Sequence, residues 1–418
     1  MKLGLALAGG VLGLAALAQQ PLPFRSRATH VPITFNNQIV RLFQDNCQVC
    51  HRPGEIAPFS LMSYTPARLY AQRIKNETQA HRMPPWKPVP GFGEFQDERR
   101  LTPQQMDLIA RWVDQGAPEG DPADLPPPRS FPDTWAIGTP DLLLQPATDY
   151  AVPAEGTDVY RCFSLPIGLL QDRYIVAAEV RPGNRNVVHH MVLFADPLGF
   201  SVRLEAAGGS QPGYDCFGGP GFLLTGILGA WAPGNQPQTF PTGIGLKLPA
   251  TGRVVMQVHY HPNGVRQTDR TQIGLALNRG PIQKDLQLLI NVNTNFAIPA
   301  GASRYTVTAT ATVPVNAHAI AVLPHMHLLG REVRMDAVYP DGTRRPLIYI
   351  DDWDFQWQAT YYYKEPVPLP AGTRVELTSI YDNSDANPKN PNQPPKEVRF
   401  GELTTDEMCL AGVWYVAD

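Results

Sequence analysis

The segment Cys47-Gln48-Val49-Cys50-His51 sets two thiols three positions apart with an imidazole directly after them. In an exported chain, Cys-x-x-Cys-His is the spacing of covalent c-type haem attachment. The thiols add to the haem vinyl groups and His51 supplies one axial ligand. A zinc-binding or redox-active thiol pair is the other chemistry open to these residues. The adjacent His, the leader described below and the helical wrapping weigh for haem. A second axial ligand is expected some tens of residues on, and His81-Arg82-Met83-Pro84-Pro85 is the place for it. Met83 is the first choice, with Met62 and His81 as competitors. A thioether ligand would raise the reduction potential relative to a bis-His haem.

A second group of candidates consists of imidazoles. His189-His190 sits in Val187-Val188-His189-His190-Met191-Val192, His259 in Val258-His259-Tyr260-His261, and His325 and His327 in Pro324-His325-Met326-His327-Leu328. Residues i and i+2 of a strand share a face, so His325 and His327 form a chelating pair suited to copper or zinc. His189 and His190 point to opposite faces of a regular strand, and sharing one metal requires a twist or bulge there. On periodicity alone, either pair is equally readable as hydrogen-bonded structural histidines.

These residues need a frame. Lys2, the apolar run Leu3–Leu17 and the small-x-small Ala16-Leu17-Ala18 read as an export signal over 1–18, with a retained anchor as the alternative. No later segment is long and apolar enough to span a membrane. A periplasmic or secreted location follows. Of the five Cys, three lie outside the haem motif; an oxidising compartment allows a Cys162–Cys216 disulfide and leaves Cys409 unpaired. The 418 residues, 43% of them hydrophobic, imply two or three domains. A net charge of -3 speaks against a nucleic-acid partner.

Residues 30–116 read as a small all-α haem domain. Phe35, Ile39, Leu42 and Phe43 recur at helical spacing, Thr65-Pro66 opens a second helix, and Thr102-Pro103 opens a third that ends at Gly116. Residues 117–133 are a Pro-rich, extended linker. From Trp135 onward, short runs rich in Val, Thr, Tyr and Leu alternate with Pro and Gly. This reads as two tandem antiparallel β-sandwiches, 134–282 and 283–418.

Four motifs occur in order: His189-His190-Met191, Val258-His259-Tyr260, His325-x-His327-x-x-Gly330 and Thr404-Thr405-Asp406-Glu407-Met408-Cys409. Together they resemble the copper type II, ascorbate-dependent monooxygenases, which include peptidylglycine α-hydroxylating and dopamine β-monooxygenases. Residues 81–85 and the helix ending at Gly116 resemble class I cytochromes c. The first resemblance implies one copper on His189, His190 and His259, and a second, catalytic copper on His325, His327 and Met408. It implies two jelly-roll-like sandwiches facing each other across a solvent-filled cleft, with a first-domain disulfide resembling Cys162–Cys216. It also implies insertion of one atom of O₂ into a C–H bond of an organic substrate. His261 matches no family ligand and reads as a support for His259; His30 and His318 have no functional reading.

The chain departs from the peptide-hydroxylating pattern. Leu323 stands where that member has a substrate-gripping Arg, and Leu410 and Gly412 where it has an Asn and a Tyr. A peptidylglycine substrate is therefore not expected, and a more apolar or bulkier one is. The family also pairs the Cys after the Met ligand, whereas Cys409 has no evident partner. The haem suggests electrons drawn from a cytochrome, a quinol-linked chain or an ascorbate-like reductant, then passed to the coppers. An electron-transfer or copper-sensing protein without hydroxylase activity is the competing reading.

Overall fold

The computed structural model describes Met1 and residues 32–418, apart from 56, 132–133, 218, 223–226, 233–234 and 402. The expected export signal, beyond Met1, and His30 lie outside the described residues. A π-turn at Phe35–Ile39 leads into α1 (Val40–Asn46), followed by α2 (Tyr64–Leu69), α3 (Ala71–Gln79) and α4 (Pro103–Asp114). Phe35, Ile39, Leu42 and Phe43 are all buried, against Ile109 and Trp112 of α4. Trp112 meets Phe43 edge-on at 6.3 Å and donates its indole N–H to Pro118 O at 3.0 Å. Thr102 and Gln105 form the reciprocal capping box that starts α4, and Gly116 at φ +87° follows its end.

Two helical expectations need correction. The second helix begins at Tyr64 with Ser63 as its cap, so Thr65-Pro66 lies inside the first turn. Proline is tolerated there because first-turn N–H groups have no helical partner. Residues 84–101, expected within the all-α unit, are not helical. Pro84, Pro85, Pro88, Pro90, Gly91 and Gly93 deny this stretch a helix. It instead pairs with the last third of the chain, through bridges Pro88↔Ile350 and Phe95↔Tyr363. Val89 N donates to Tyr349 O at 2.8 Å, and Gln96 N to Tyr362 O at 2.8 Å. Gly93 allows the approach, since a Cβ there would lie 2.7 Å from Leu347 O. Within 117–131, Pro122–Asp124 form a short 3-10 turn and the stretch is held down: Arg41 donates to Asp124 O and Gln44 to Pro127 O.

The remainder is β structure in stacked sheets. A five-stranded sheet runs in the order Tyr214–Asp215, Val159–Pro166, Arg253–Tyr260, Val188–Asp196, Ile227–Trp231. A four-stranded sheet runs Tyr305–Thr312, Arg374–Tyr381, Gly330–Val338, Arg344–Ile350. A nine-stranded sheet backs both. Its first strands cover the five-stranded sheet and its last strands the four-stranded one, giving two cores. Strand periodicity shows why: in Tyr305–Thr312, Val307 and Ala309 are buried while the alternating Thr306, Thr308 and Thr310 are exposed. The central strand Arg253–Tyr260 is buried from Val254 to Tyr260.

The two β halves are not separate bodies joined by a linker. Lys284–Asn293 pairs in parallel with Ile244–Leu248, which fuses them into the nine-stranded sheet. The Cys162–Cys216 disulfide is present and ties strand Val159–Pro166 to the loop after Tyr214–Asp215. Cys409 is free and buried.

Phe95 is 2% exposed and packs 5.2 Å from the Tyr363 ring and 5.5 Å from that of Tyr361. It is a core residue of the second β half supplied by the N-terminal part of the chain. Phe95→Ala is expected to cost about 3–5 kcal/mol, read as a lower urea midpoint for the second β half; an unchanged midpoint would contradict this packing.

Candidate functional site

The first cluster depends on a break in strand alternation. His259 pairs with His190, yet the next residue, Tyr260, pairs with Val188. His189 is therefore an extra residue, the bulge that the sequence required for two adjacent histidines to serve one centre. His190 Nδ1 lies 3.1 Å from His189 Nδ1 and 3.3 Å from His259 Nδ1. Three nitrogens bonded at about 2.0 Å to one tetrahedral ion would stand about 3.3 Å apart. Both separations match that spacing. The donor set thus fits a metal ion, held by Nδ1 of His189, His190 and His259.

The surroundings fix that choice of nitrogen. His259 Nε2 lies 2.9 Å from Asp158 Oδ2, an ion-pair distance, while its Nδ1 is turned toward His190. Asp158 Oδ1 holds His261 Nδ1 at 2.7 Å, which places His261 beside the cluster but outside it. Burial alone would raise the Asp158 carboxyl, but the bonds from His259 and His261 outweigh it and lower it to about 2. Tyr160 stacks on His259 at 4.4 Å. Burial lowers His189 to about 4 and holds His190 well below its ordinary value, so both rings are neutral and able to bind metal at pH 7.

The second cluster is the pair at the end of strand Ala317–His325. The rings of His325 and His327 lie 5.1 Å apart at 87°. His327 Nδ1 contacts Asp406 O at 3.2 Å and so donates to it, which makes Nε2 its candidate ligand atom. His325 Nδ1 contacts Gln358 Oε1. Gln358 Nε2 donates to Phe355 O at 2.9 Å, so its oxygen is the atom presented to His325. His325 Nδ1 must then be the donor, and Nε2 is its candidate ligand atom as well. The buried Glu407 carboxylate accepts N–H bonds from His327 at 2.9 Å, Leu329 at 2.6 Å and Met408 at 3.2 Å. Burial raises Glu407 to about 8 even so. Those bonds bring the Met408 backbone beside the histidine pair. Leu410 pairs across the sheet with His325, and Gly412 with Leu323, so apolar residues stand where the peptide-hydroxylating pattern has polar ones.

The thiol motif borders a third site. Cys47, Cys50, His51 and Met83 line one cavity of about 210 Å³ with Phe59, Leu61, Ile74, Pro84 and Trp357. His81 and Met62 are not among its lining residues; His81 is exposed. His51 Nδ1 contacts Phe59 O at 3.0 Å and so donates to it, which leaves Nε2 as the ligand atom. Burial pushes the Cys47 thiol up to about 12 and raises Cys50 too. The two thiols, the His51 imidazole and the Met83 side chain thus border one apolar pocket.

The sequence did not single out Asp158, Glu407, Gln358 or Phe355. Glu407 stood inside a recognised motif with no role attached. Asp158 lies more than a hundred residues from His261, so only strand pairing reveals it. Phe355 lies in a loop, with its ring 5.9 Å from His189 and 5.8 Å from His327. An aromatic ring therefore stands between the two clusters, in what was expected to be a solvent-filled gap. Asp158→Asn is expected to weaken metal binding at the first cluster about 10–100-fold, measured by competition with a copper chelator. An unchanged affinity would deny Asp158 its orienting role.

Comparison with known proteins followed the same division. DBH-like monooxygenase protein 1 of Homo sapiens is 25% identical over 306 residues, covering 66% of this chain and 46% of that protein. The protein of the same name in Mus musculus is 25% identical over 296 residues, covering 63% and 45%. The chain thus spans less than half the length of these relatives. Among solved structures, the major capsid protein P2 from bacteriophage PM2 overlaps 66% of this chain and 97% of its own, at 12% identity. Its TM-score of 0.27 is too low to bear on the fold. Two family models match: the N-terminal domain of the copper type II ascorbate-dependent monooxygenases over residues 145–266, and the C-terminal domain over 285–417. The first span contains His189, His190 and His259, and the second His325, His327 and Met408. Spanning well over half of the chain between them, these two matches mean that it belongs to the copper type II ascorbate-dependent monooxygenase family.

Proposed function

We propose that this chain is a haem-linked dicopper monooxygenase that hydroxylates a C–H bond of an organic substrate with O₂. The observation that carries the reading is the convergence of His189, His190 and His259 on one point, beside a separate pair, His325 and His327, whose Nδ1 atoms are taken up by Gln358 and Asp406. Two sites with different donors suit two different tasks. His189, His190 and His259 would hold one copper and His325, His327 and Met408 the other. Copper supplies one-electron transfer at the all-imidazole site and activation of O₂ at the imidazole–thioether site, whose soft sulfur favours the reduced ion. The chain's own groups orient these ligands: Asp158 aims His259, Gln358 aims His325, and Glu407 pins the backbone of His327 to that of Met408.

Cys47 and Cys50 would carry haem c, with His51 and Met83 as axial ligands. Its role would be to receive electrons from an external reductant, a cytochrome, a quinol-linked chain or an ascorbate-like molecule, in a periplasmic or secreted setting. Among the described residues no helix is long and apolar enough to cross a membrane. Leu323, Leu410 and Gly412 leave the surroundings of His325 apolar, which favours a substrate lacking a carboxylate.

Protein matured with a c-type haem assembly system and loaded with copper is expected to hold two coppers per haem. Met408→Ala should lower that to about one. Incorporation of ¹⁸O from ¹⁸O₂ into one of a panel of apolar aromatic and aliphatic substrates would establish the reaction. Two bound coppers without copper-dependent O₂ uptake across the panel would favour electron transfer or copper sensing.

A further inference from the structure

Five residues between strands, Asp354 to Gln358, touch all three sites. Trp357 forms part of the wall of the cavity that holds Cys47, Cys50, His51 and Met83, although it comes from the second β half. Phe355 lies nearly parallel to the His189 ring, at 20°, and edge-on to His327, at 86°. Gln358 accepts from His325 Nδ1.

The segment is built as a rigid turn. Trp357 N donates to Asp354 O at 3.0 Å, and Gln356 N to Asp354 Oδ1 at 3.1 Å. The Gln358 side chain closes back on Phe355 O at 2.9 Å. The preceding residue, Trp353, is 3% exposed and donates its indole N–H to His327 O at 3.2 Å. The turn is thus bonded to itself and to the histidine pair. The far side of the pocket is fixed as well: Glu55, beside the thiol motif, pairs with Arg185 at 2.7 Å, four residues before His189. Lys87 pairs with Asp352 at 2.7 Å, two residues before the turn.

We propose that the turn Asp354–Gln358 is a positioning element shared by the three sites, through which the contents of the Cys47–His51 pocket are felt at the His325–His327 pair. Trp357 closes the pocket, Phe355 spaces His189 from His327, and Gln358 sets the tautomer and ring angle of His325. A change at Trp357 moves a turn only one residue from the His325 acceptor. Interiors pack too densely for the turn to absorb such a shift locally. The proposal rests on the pocket and the clusters holding their cofactors as read above.

The test uses the full haem-bearing chain and Cu(I) alone as probe, with affinities at the two sites resolved by competition against a chromophoric Cu(I) chelator. Gln358→Leu is expected to weaken one of the two coppers about 10–100-fold while the haem absorption spectrum stays unchanged. Gln358→Glu keeps an acceptor for His325 Nδ1 and should restore most of that affinity, which a purely structural role would not predict. Trp357→Leu, at the pocket wall, is expected to shift the haem spectrum and to weaken the same copper about 5-fold or more, the usual size of coupling between sites. Wild-type affinity at both coppers in either Gln358→Leu or Trp357→Leu would overturn the proposal. Failure of the parent protein to bind two coppers would instead overturn the assignment of the sites, so the two failures are distinguishable.

Discussion

A β-strand aims successive side chains at opposite faces, and His189 and His190 must escape that rule to act together. The extra residue in the pairing of Val188–Asp196 with Arg253–Tyr260 is the escape. Everything at the first site follows from it. Without the bulge one of the two rings would face away from His259, and the Nδ1 atoms of His189 and His259 could not both lie within 3.3 Å of His190 Nδ1. The result is three imidazoles close enough to share one metal ion, with the carboxylate of Asp158 2.9 Å from Nε2 of His259.

The second constraint is mechanical. The N-terminal helical part is not an appendage on a stiff tether. Phe95 lies in the core of the second β half, and Glu55 pairs with Arg185 of the first. The stretch 84–101 is spent on this anchorage. The thiol pocket is thereby held against both halves at once, with Trp357 as its far wall. Since the two halves also share a sheet through Lys284–Asn293 and Ile244–Leu248, the relative placement of the three sites is a property of the fold.

Much of this was legible from residues. The capping box at Thr102 and Gln105, the buried face Phe35–Phe43, the need for a bulge at His189 and the Cys162–Cys216 pairing all follow from local rules or motif order. What stayed hidden has one cause: it depends on contacts between segments far apart in sequence. Residues 84–101 carry Pro and Gly that exclude a helix, yet nothing local tells that their partner is Tyr349 or Tyr363. Asp158 meets His261 across 103 positions. Gln358 and Phe355 sit in a loop with no periodicity to read, and Glu407 acts through backbone N–H groups that a motif does not display. The parallel join between the halves is only two residue pairs long and leaves no pattern in either strand.

The most direct test of the account is a crystal structure of the copper-loaded, haem-bearing protein with anomalous data collected at the copper and iron edges. The account predicts one copper bonded to Nδ1 of His189, His190 and His259, another at Nε2 of His325 and His327 with the Met408 sulfur, and one iron between His51 Nε2 and Met83. A single copper bridging the two clusters, or copper bound elsewhere with the three Nδ1 atoms left empty, would contradict it.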